Sequence, residues 1–480
     1  MEQKFLPRNI SKSIERVRIM STPNTHIGAE GIADILRNCK KLFFIGIGGV
    51  SMSSLAHMSK KLGFSVAGSD RCDSAITERL RSEGINIFIG HDRQNLEDCD
   101  AVVYTVAISP DNPEYAEAVR RSLPLISRAD YLGYIMTSKP KRLGISGMHG
   151  KSTCTGMCAA VFRDSTVVSG AYSPDMNGYY RIGTDGHFVF EACEYMDSFL
   201  DFNPTAAIIL NIEPEHLDYF SGLDAIKESF GKFAALTGES GHVIYNIHDE
   251  NIPSAIERYK GARYSFGINN DSADYNAKNI SYNNGDPVFD IFKKNALLCS
   301  VNMNVAGDHN ILNALATAAA ADISGIPAEQ IKEGLERFRG IGRRMEYKGT
   351  LCGAPVYDDY GHHPTEIRAT LSAARKMSEG KRLTVVFQPH TYTRTASLFN
   401  DFVSSLSLAD RIMLAPIYAA RETDTLGVSS ALLAEKIGKK ASAYNSIEEI
   451  ASAVENSKNE FILVMGAGNI DGIFKLLNIK

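Results

Sequence analysis

No run of about 18 apolar residues occurs in the sequence, which excludes a membrane-spanning helix. The opening stretch, residues 1–20, carries charge but no apolar centre of signal-peptide type, so a cytoplasmic location is expected rather than export. The eight cysteines, at 39, 72, 99, 154, 158, 193, 299 and 352, form no Cys-x-x-Cys pair. That argues against zinc and predicts buried free thiols in a reducing compartment; Cys154 and Cys158, four apart, would share one helix face. Positive charge is not in excess, since 51 Lys and Arg stand against 56 Asp and Glu. The net charge of −5 argues against a general nucleic-acid binder but leaves room for phosphates held by a local loop. Short-period repeats and low-complexity segments are lacking too. What is present is a 480-residue chain, 44% hydrophobic and 22% charged, enough for roughly two to four packed domains.

Strand-like apolar runs alternate with helical patterns in three blocks, which predicts the α/β class with mostly parallel, doubly wound sheets. The first block holds Lys41–Gly46, a helical stretch near Val50–Leu62, then Ser65–Asp70, Ile85–Ile89, Ala101–Val106 and Leu123–Ile126. The second opens with Arg142–Ser146, continues through Ala206–Asn211 and His242–Asn246, and closes on the alanine-rich helix Asn310–Ala321. Within it Asn269–Asn304, rich in Asn, Ser and Tyr, reads as a strand-and-turn excursion. The third begins at a hinge-like Gly340-Ile341-Gly342, with strands at Leu383–Phe387, Ile412–Pro416 and Phe461–Met465 and helices at Glu366–Met377 and Ala396–Leu406. Ahead of all three, Ala29–Asn38 reads as a helix.

The strongest chemical signal is Gly147-Met148-His149-Gly150-Lys151-Ser152-Thr153, after a strand and before a helix. Glycines there let backbone N–H groups face phosphate oxygens, and the helix N-terminus adds partial positive charge. Lys151 can reach the outer phosphates and Ser152 can ligate Mg2+. The spacing is a shortened Gly-x-x-Gly-Lys-Ser form, because Ile145 stands where the longer loop has glycine. A second loop, Gly46-Ile47-Gly48-Gly49-Val50-Ser51, suits a pyrophosphate; Ser51 replaces the third glycine of the dinucleotide fingerprint, and Ser69-Asp70 lies where that fingerprint puts a ribose-binding acid. Taken alone, this loop would suggest NAD. A third, Gly466-Ala467-Gly468-Asn469, suits packing and function equally.

Further segments follow in order: Glu191-Ala192-Cys193-Glu194 with Ser198-Phe199-Leu200; Asn211-Ile212-Glu213-Pro214-Glu215-His216-Leu217-Asp218; Gly307-Asp308-His309-Asn310 with Asn313; Arg343-Arg344; Asp358-Asp359-Tyr360-Gly361-His362-His363-Pro364; and Gln388-Pro389-His390-Thr391-Tyr392-Thr393-Arg394. Together with the loops they resemble the Mur ligases, ATP-dependent amino-acid ligases of peptidoglycan synthesis, over residues 41–480. The chain departs from many relatives at Cys193-Glu194-Tyr195-Met196, where they carry Asp-Glu-Ser-Asp, at Thr391, where they carry Arg, and at Met148 and Ser152, where Thr is familiar. A metal-bridging carbamylated lysine, found in some relatives, has only the poorly matched Lys232 as a counterpart.

The resemblance implies a Rossmann-like UDP-sugar-binding domain at 41–139, a P-loop ATP-binding domain at 140–339 and a Rossmann-like amino-acid-binding domain at 340–480, with 1–40 an extension outside it. It implies ATP and Mg2+, with UDP-N-acetylmuramate and L-alanine as small-molecule substrates, in a monomer or homodimer. A sister ligase that recycles murein tripeptide on the same UDP-sugar is the alternative. Glu191 follows the apolar run His187–Phe190, so its carboxylate should emerge at a strand's carboxyl edge; it is the favoured metal ligand, with Glu194 a second candidate. By resemblance His216 ligates a second Mg2+, and Asn310 and Asn313, three apart on one helix face, meet adenine. Arg344, Asp359 and Tyr360 belong with ATP by the same token. His362, His363, His390 and Arg394 are candidates for holding a substrate carboxylate or the alanine, an Arg fork matching a carboxylate well. Gly46, Gly48, Gly49, Ser69 and Asp70 would face the UDP-sugar.

Overall fold

The structure, a computed structural model, describes residues 22–479 apart from 217, 218, 284, 421 and 456. It is α/β with three sheets. In the first, five parallel strands lie in the order Asn86–Ile89, Ser65–Asp70, Lys41–Ile45, Ala101–Tyr104, Leu125–Ser127. Lys41–Ile45 pairs with Ser65–Ser69 on one side and Ala101–Tyr104 on the other. Its apolar run is unbroken because both faces are covered: Leu42 and Phe44 enter one core cluster, Phe43 and Ile45 another. Strand order reverses at this strand, and the crevice beyond such a reversal is where open α/β sheets take ligands.

In the second sheet Lys141–Ser146 runs parallel between Ala206–Ile209 and His187–Glu191. Three carboxyl ends therefore meet: the Lys151 loop, the Glu191–Glu194 stretch and Leu210-Asn211. His242–Asn246 and Ala262–Ile268 extend the sheet one way, Thr166–Ser173 and the antiparallel Gly178–Arg181 the other. The excursion predicted at 269–304 is three strands, Tyr275–Asn283, Asp286–Lys293 and Ala296–Asn302, next in that sheet's order. The third sheet runs Glu346–Leu351, Ala354–Asp359, Phe461–Met465, Leu383–Phe387, Arg411–Leu414, Ala441–Ala443, with only the first strand antiparallel.

The described residues form two compact units. One comprises residues up to Asn276 with Phe292–Ala296 and Ala314–Gly334; the other comprises Ala277–Ile291, Leu297–Asn313 and residues from Leu335 on. In the first unit, helix Arg128–Met136 and the aromatics Phe199, Phe202, Phe230 and Phe233 share one core. Phe199 stacks on Phe233 at 4.6 Å and meets Phe230 edge-on at 5.3 Å. Burying each such ring contributes on the order of 2–3 kcal/mol.

Several expectations need correction. The helix expected over Ala396–Leu406 is two, Tyr392–Ser397 and Phe399–Leu406, separated at Leu398, whose φ of −112° leaves the helical region. All eight thiols are free, but Cys72 and Cys352 are exposed rather than buried; both fall in polar turns that no core reaches. Cys154 and Cys158 do share a helix face, each 3.6 Å from Thr317 Oγ1. The N-terminal helix is Ala29–Leu36. Residues 1–21 of the expected extension, and Leu217 and Asp218 of the Asn211–Asp218 motif, lie outside the described residues.

Candidate active site

In the first unit, the amide of Gly48 donates to Asp70 Oδ2 at 2.9 Å and those of Gly46 and Ile47 reach Ser69 O, each at 2.9 Å. The loop so held leads through Gly49 into helix Val50–Lys61. Asp70 thus spends one oxygen on the loop itself. A Cβ on Gly48 would sit 2.8 Å from that oxygen. Gly48→Ala is therefore expected to displace the loop and to lower Tm by about 2–4 °C, which thermal unfolding would show. Ser69 Oγ donates to the fully buried Glu114 at 2.5 Å, and His91 Nδ1 shares a bond with the same carboxylate at 2.7 Å. That bond to Glu114 raises the His91 imidazole above its ordinary pKa. His91 and Glu114 were missed from sequence because neither sits in a glycine loop; the isolated Ile-Gly-His and Asn-Pro-Glu turns were their only trace.

Helix Lys151–Val161 begins directly after Gly150. Lys151 Nζ folds over its own loop, donating to the carbonyls of Gly147 and Met148 and to both oxygens of Glu194 at 3.0 and 3.2 Å. Glu194 is 1% exposed and also shares a 3.2 Å bond with His216 Nε2. Burial pulls the Lys151 pKa down, but the Glu194 carboxylate outweighs it and holds the ammonium above its ordinary value. Burial likewise pushes Glu194 up, and Lys151 and His216 bring it below the usual carboxylate range. The pair thus stabilises the fold at neutral pH. Glu194's share is lost as pH falls through its lowered value, that of Lys151 as pH rises through its raised one.

Glu191 emerges at the strand's carboxyl edge as expected. Its Oε2 accepts from Ser152 Oγ at 2.9 Å and its Oε1 from Ser169 Oγ at 3.0 Å and from the Gly170 amide. Asn211 clamps the loop from the third strand, accepting from the His149 amide at 2.8 Å and donating to its carbonyl at 3.0 Å. The Glu213 carboxylate lies 3.7 Å from His149 Nε2. Asp249, missed from sequence, accepts from the Ile212 amide at 2.8 Å and so steadies the turn carrying Asn211. Lys232 lies on the helix surface, paired with Glu228 at 2.9 Å. Thr153 is buried in the helix's first turn.

In the second unit, Arg343 and Arg344 are not the solvated pair that adjacent arginines suggest. Arg343 lies 3.2 Å from the buried Asp358 and Arg344 3.1 Å from Glu366, while both guanidiniums lie against Tyr360, at 5.1 and 5.6 Å from its ring. Asp359 accepts from the amides of Gly361 and Met345 at 2.8 and 2.9 Å. Burial pushes the Asp358 carboxyl up to about 7 despite Arg343. A raised carboxyl favours the folded state when protonated, so its contribution is lost as pH rises from about 4 to 7. Asp358→Asn should accordingly raise Tm at pH 8, with the gap narrowing at pH 5 and closing only below about pH 4, as calorimetry across that range would show.

His363 caps helix Pro364–Met377, its ring accepting from the Thr365 amide while Glu366 bonds back to His363 N. The rings of His362 and His390 lie 5.9 Å apart, His390 stacks on Tyr418 at 5.5 Å, and Arg394 shares a 3.2 Å bond with His390 Nδ1. His362, His390 and Arg394 thus come together, with Tyr418 an unforeseen fourth. Gln388 donates to Asn469 at 2.9 Å, tying the third glycine loop to this segment. Asn310 and Asn313 are buried and bonded to each other at 3.2 Å; Asn310 also donates to Ala306 O at 2.7 Å. Asp308 accepts from the Tyr282 and Lys376 side chains. Burial and the nearby Arg344 push the His309 imidazole down to about 4.

The description "Mur ligase family, catalytic domain" matches residues 41–140, "Mur ligase middle domain" 145–321, and "Mur ligase, glutamate ligase domain" 343–468. The UDP-N-acetylmuramate–L-alanine ligase of Clostridium novyi is 43% identical over 442 residues, 90% of this chain and 96% of the relative. That of Caldicellulosiruptor bescii is 42% identical over 441 residues, again 90% and 96%. The crystal structure of UDP-N-acetylmuramate-alanine ligase from Thermotoga maritima superposes with a TM-score of 0.77 at 29% identity, over 91% of this chain and 98% of that one. A murein peptide ligase from Psychrobacter arcticus gives 0.69 at 25% identity, over 92% and 98%. With three Mur ligase models matched in order and a relative 43% identical over 90% of its length, this chain belongs to the Mur ligase family.

Proposed function

We propose that the chain joins L-alanine to the carboxylate of UDP-N-acetylmuramate at the expense of ATP, in peptidoglycan precursor synthesis. The observation that carries this is the Lys151 loop, with Glu191, Glu194 and His216 gathered on it, in a chain 43% identical to an L-alanine ligase over 90% of its length. A carboxylate is a poor acyl donor because oxide would have to leave. One of its oxygens attacks the γ-phosphorus of ATP, ADP leaves, and an acyl phosphate forms. The alanine amine then attacks the carbonyl carbon, phosphate departs with that oxygen, and the amine's proton is lost.

Such phosphoryl transfer depends on positioning and charge neutralisation more than on covalent help. Lys151 offsets γ-phosphate charge, and the amides of Gly147 and of residues 150–153 hold the phosphates, while Asn211 keeps Met148 and His149 in place between them. Asn310, Asn313, Arg344, Asp359 and Tyr360 serve ATP; Gly46, Gly48, Gly49, Ser69 and Asp70 serve the UDP-sugar; His362, His363, His390 and Arg394 serve the incoming alanine. Mg2+ fits the donor set: Ser152 and Glu191, already 2.9 Å apart, offer hard oxygens, and Glu194 and His216 stand beside them. When bound, Mg2+ supplies charge neutralisation at the phosphates. The free thiols suit a cytoplasmic place.

The test is phosphate release from ATP with UDP-N-acetylmuramate, screening single amino acids against a murein tripeptide. Release that needs L-alanine is expected; release with the tripeptide and not with L-alanine would overturn the reading.

A further inference from the structure

Residues Thr22–Gly28 precede the region that matches the family, yet within the first unit they form a bonded strap. Thr22 Oγ1 donates to Ile108 O at 3.2 Å and Tyr104 Oη to Pro23 O at 2.6 Å, so the strap starts beyond the carboxyl end of strand Ala101–Tyr104. Thr25 Oγ1 and the amides of Ile27 and Gly28 converge on the buried Asp130 carboxylate at 2.7, 2.6 and 3.0 Å. A buried charge needs such donors, and here they fix the strap's course. Helix Ala29–Leu36 then anchors it by burying Ile32 and Leu36.

Two strap side chains turn to the segment that follows Glu194. Asn24 Nδ2 donates to Met196 O at 3.2 Å and to Ser198 Oγ at 3.4 Å, and His26 Nδ1 bonds Asp201 Oδ1 at 2.5 Å. Met196 and Asp197 both have φ of +55°, in the left-handed region. For residues bearing a Cβ this conformation is strained, and such strain persists only where surroundings enforce it. From one side Tyr219 Oη, at 2.7 Å, and Ser229 Oγ hold the Asp197 carboxylate; from the other the strap holds Met196 and Asp201. The strained turn begins two residues after Glu194, the group that binds Lys151 and His216.

We propose that Asn24 and His26 are positioning residues: the strap enforces the left-handed Met196-Asp197 turn and thereby fixes Glu194 against Lys151. This rests on the phosphoryl-transfer reading of Lys151 given above. The test uses full-length Asn24→Ala, His26→Ala and their double variant, with Asn24→Asp, which keeps the size but loses the donor. In the double variant without nucleotide, amide exchange over residues 195–201 is expected to rise about tenfold or more. Its kcat for phosphate release should fall about tenfold, with KM for UDP-N-acetylmuramate within about twofold. Asn24→Asp should share the defect of Asn24→Ala. Adding Met196→Gly, which removes the left-handed penalty, should restore most of kcat. Unchanged exchange overturns the strap whatever the activity, and so does a kcat loss that Met196→Gly fails to restore, the mark of a merely structural segment. A parent protein that releases no phosphate would sink the ligase reading, leaving exchange to judge the strap.

Discussion

Lys151→Ala is expected to lower kcat for phosphate release by about 10³-fold, because it removes a preorganised cation from the point where phosphoryl charge develops. It should also destabilise the protein. Glu194 is 1% exposed and its carboxylate is held below its usual pKa by Lys151 and His216. Removing one partner of a buried pair leaves an uncompensated charge, at a cost of about 3 kcal/mol. The two effects separate in a double variant. Lys151→Met with Glu194→Gln places neutral groups of similar size at both positions, and should recover most of the stability without recovering turnover. Thermal unfolding and phosphate release on the same preparations check both halves. A double variant as unstable as Lys151→Ala would show that the ion pair is not the source of the loss.

Glu191→Gln should cost about 10²-fold or more in kcat and raise the Mg2+ concentration for half-maximal rate more than tenfold. The carboxylate accepts from Ser152, Ser169 and Gly170. An amide in its place turns an NH2 group toward one of these donors and removes the negative charge that a hard cation needs. Ser152→Ala, which takes away only a neutral oxygen, should have the milder effect. A Mg2+ titration of the three proteins ranks them; an unchanged Mg2+ requirement in Glu191→Gln would remove Glu191 from the metal's set and leave Glu194 as the candidate.

Much of this site could be read from the sequence because its chemistry is local. Gly150, Lys151 and Ser152 adjoin one another, and an apolar run ending in Glu191 says where its carboxylate must emerge. The α/β class was legible for a related reason, since Phe461–Met465 is apolar at every position and Leu383–Phe387 at every position but Thr384, as suits strands covered on both faces. What escaped was the partner of each group. Nothing in the spacing of Lys151 and Glu194 says that they touch, because their contact is made by two strands adjacent in the sheet but far apart along the chain. His91 with Glu114, and Tyr418 with His390, escaped for the same reason. The break at Leu398 escaped because apolar periodicity is nearly continuous across it. Residues 22–28 carried no pattern at all; their polar side chains gain meaning only from Asp130, Met196 and Asp201, which the fold brings to them.

The central claim is that an oxygen of the sugar carboxylate is passed to phosphorus before the alanine amine attacks. UDP-N-acetylmuramate labelled with 18O in both carboxyl oxygens, turned over with unlabelled ATP and L-alanine, tests it by mass spectrometry of the products. The account predicts one 18O in each released phosphate and one retained in the amide; phosphate free of 18O, with the label that leaves the carboxylate found in water, would contradict it.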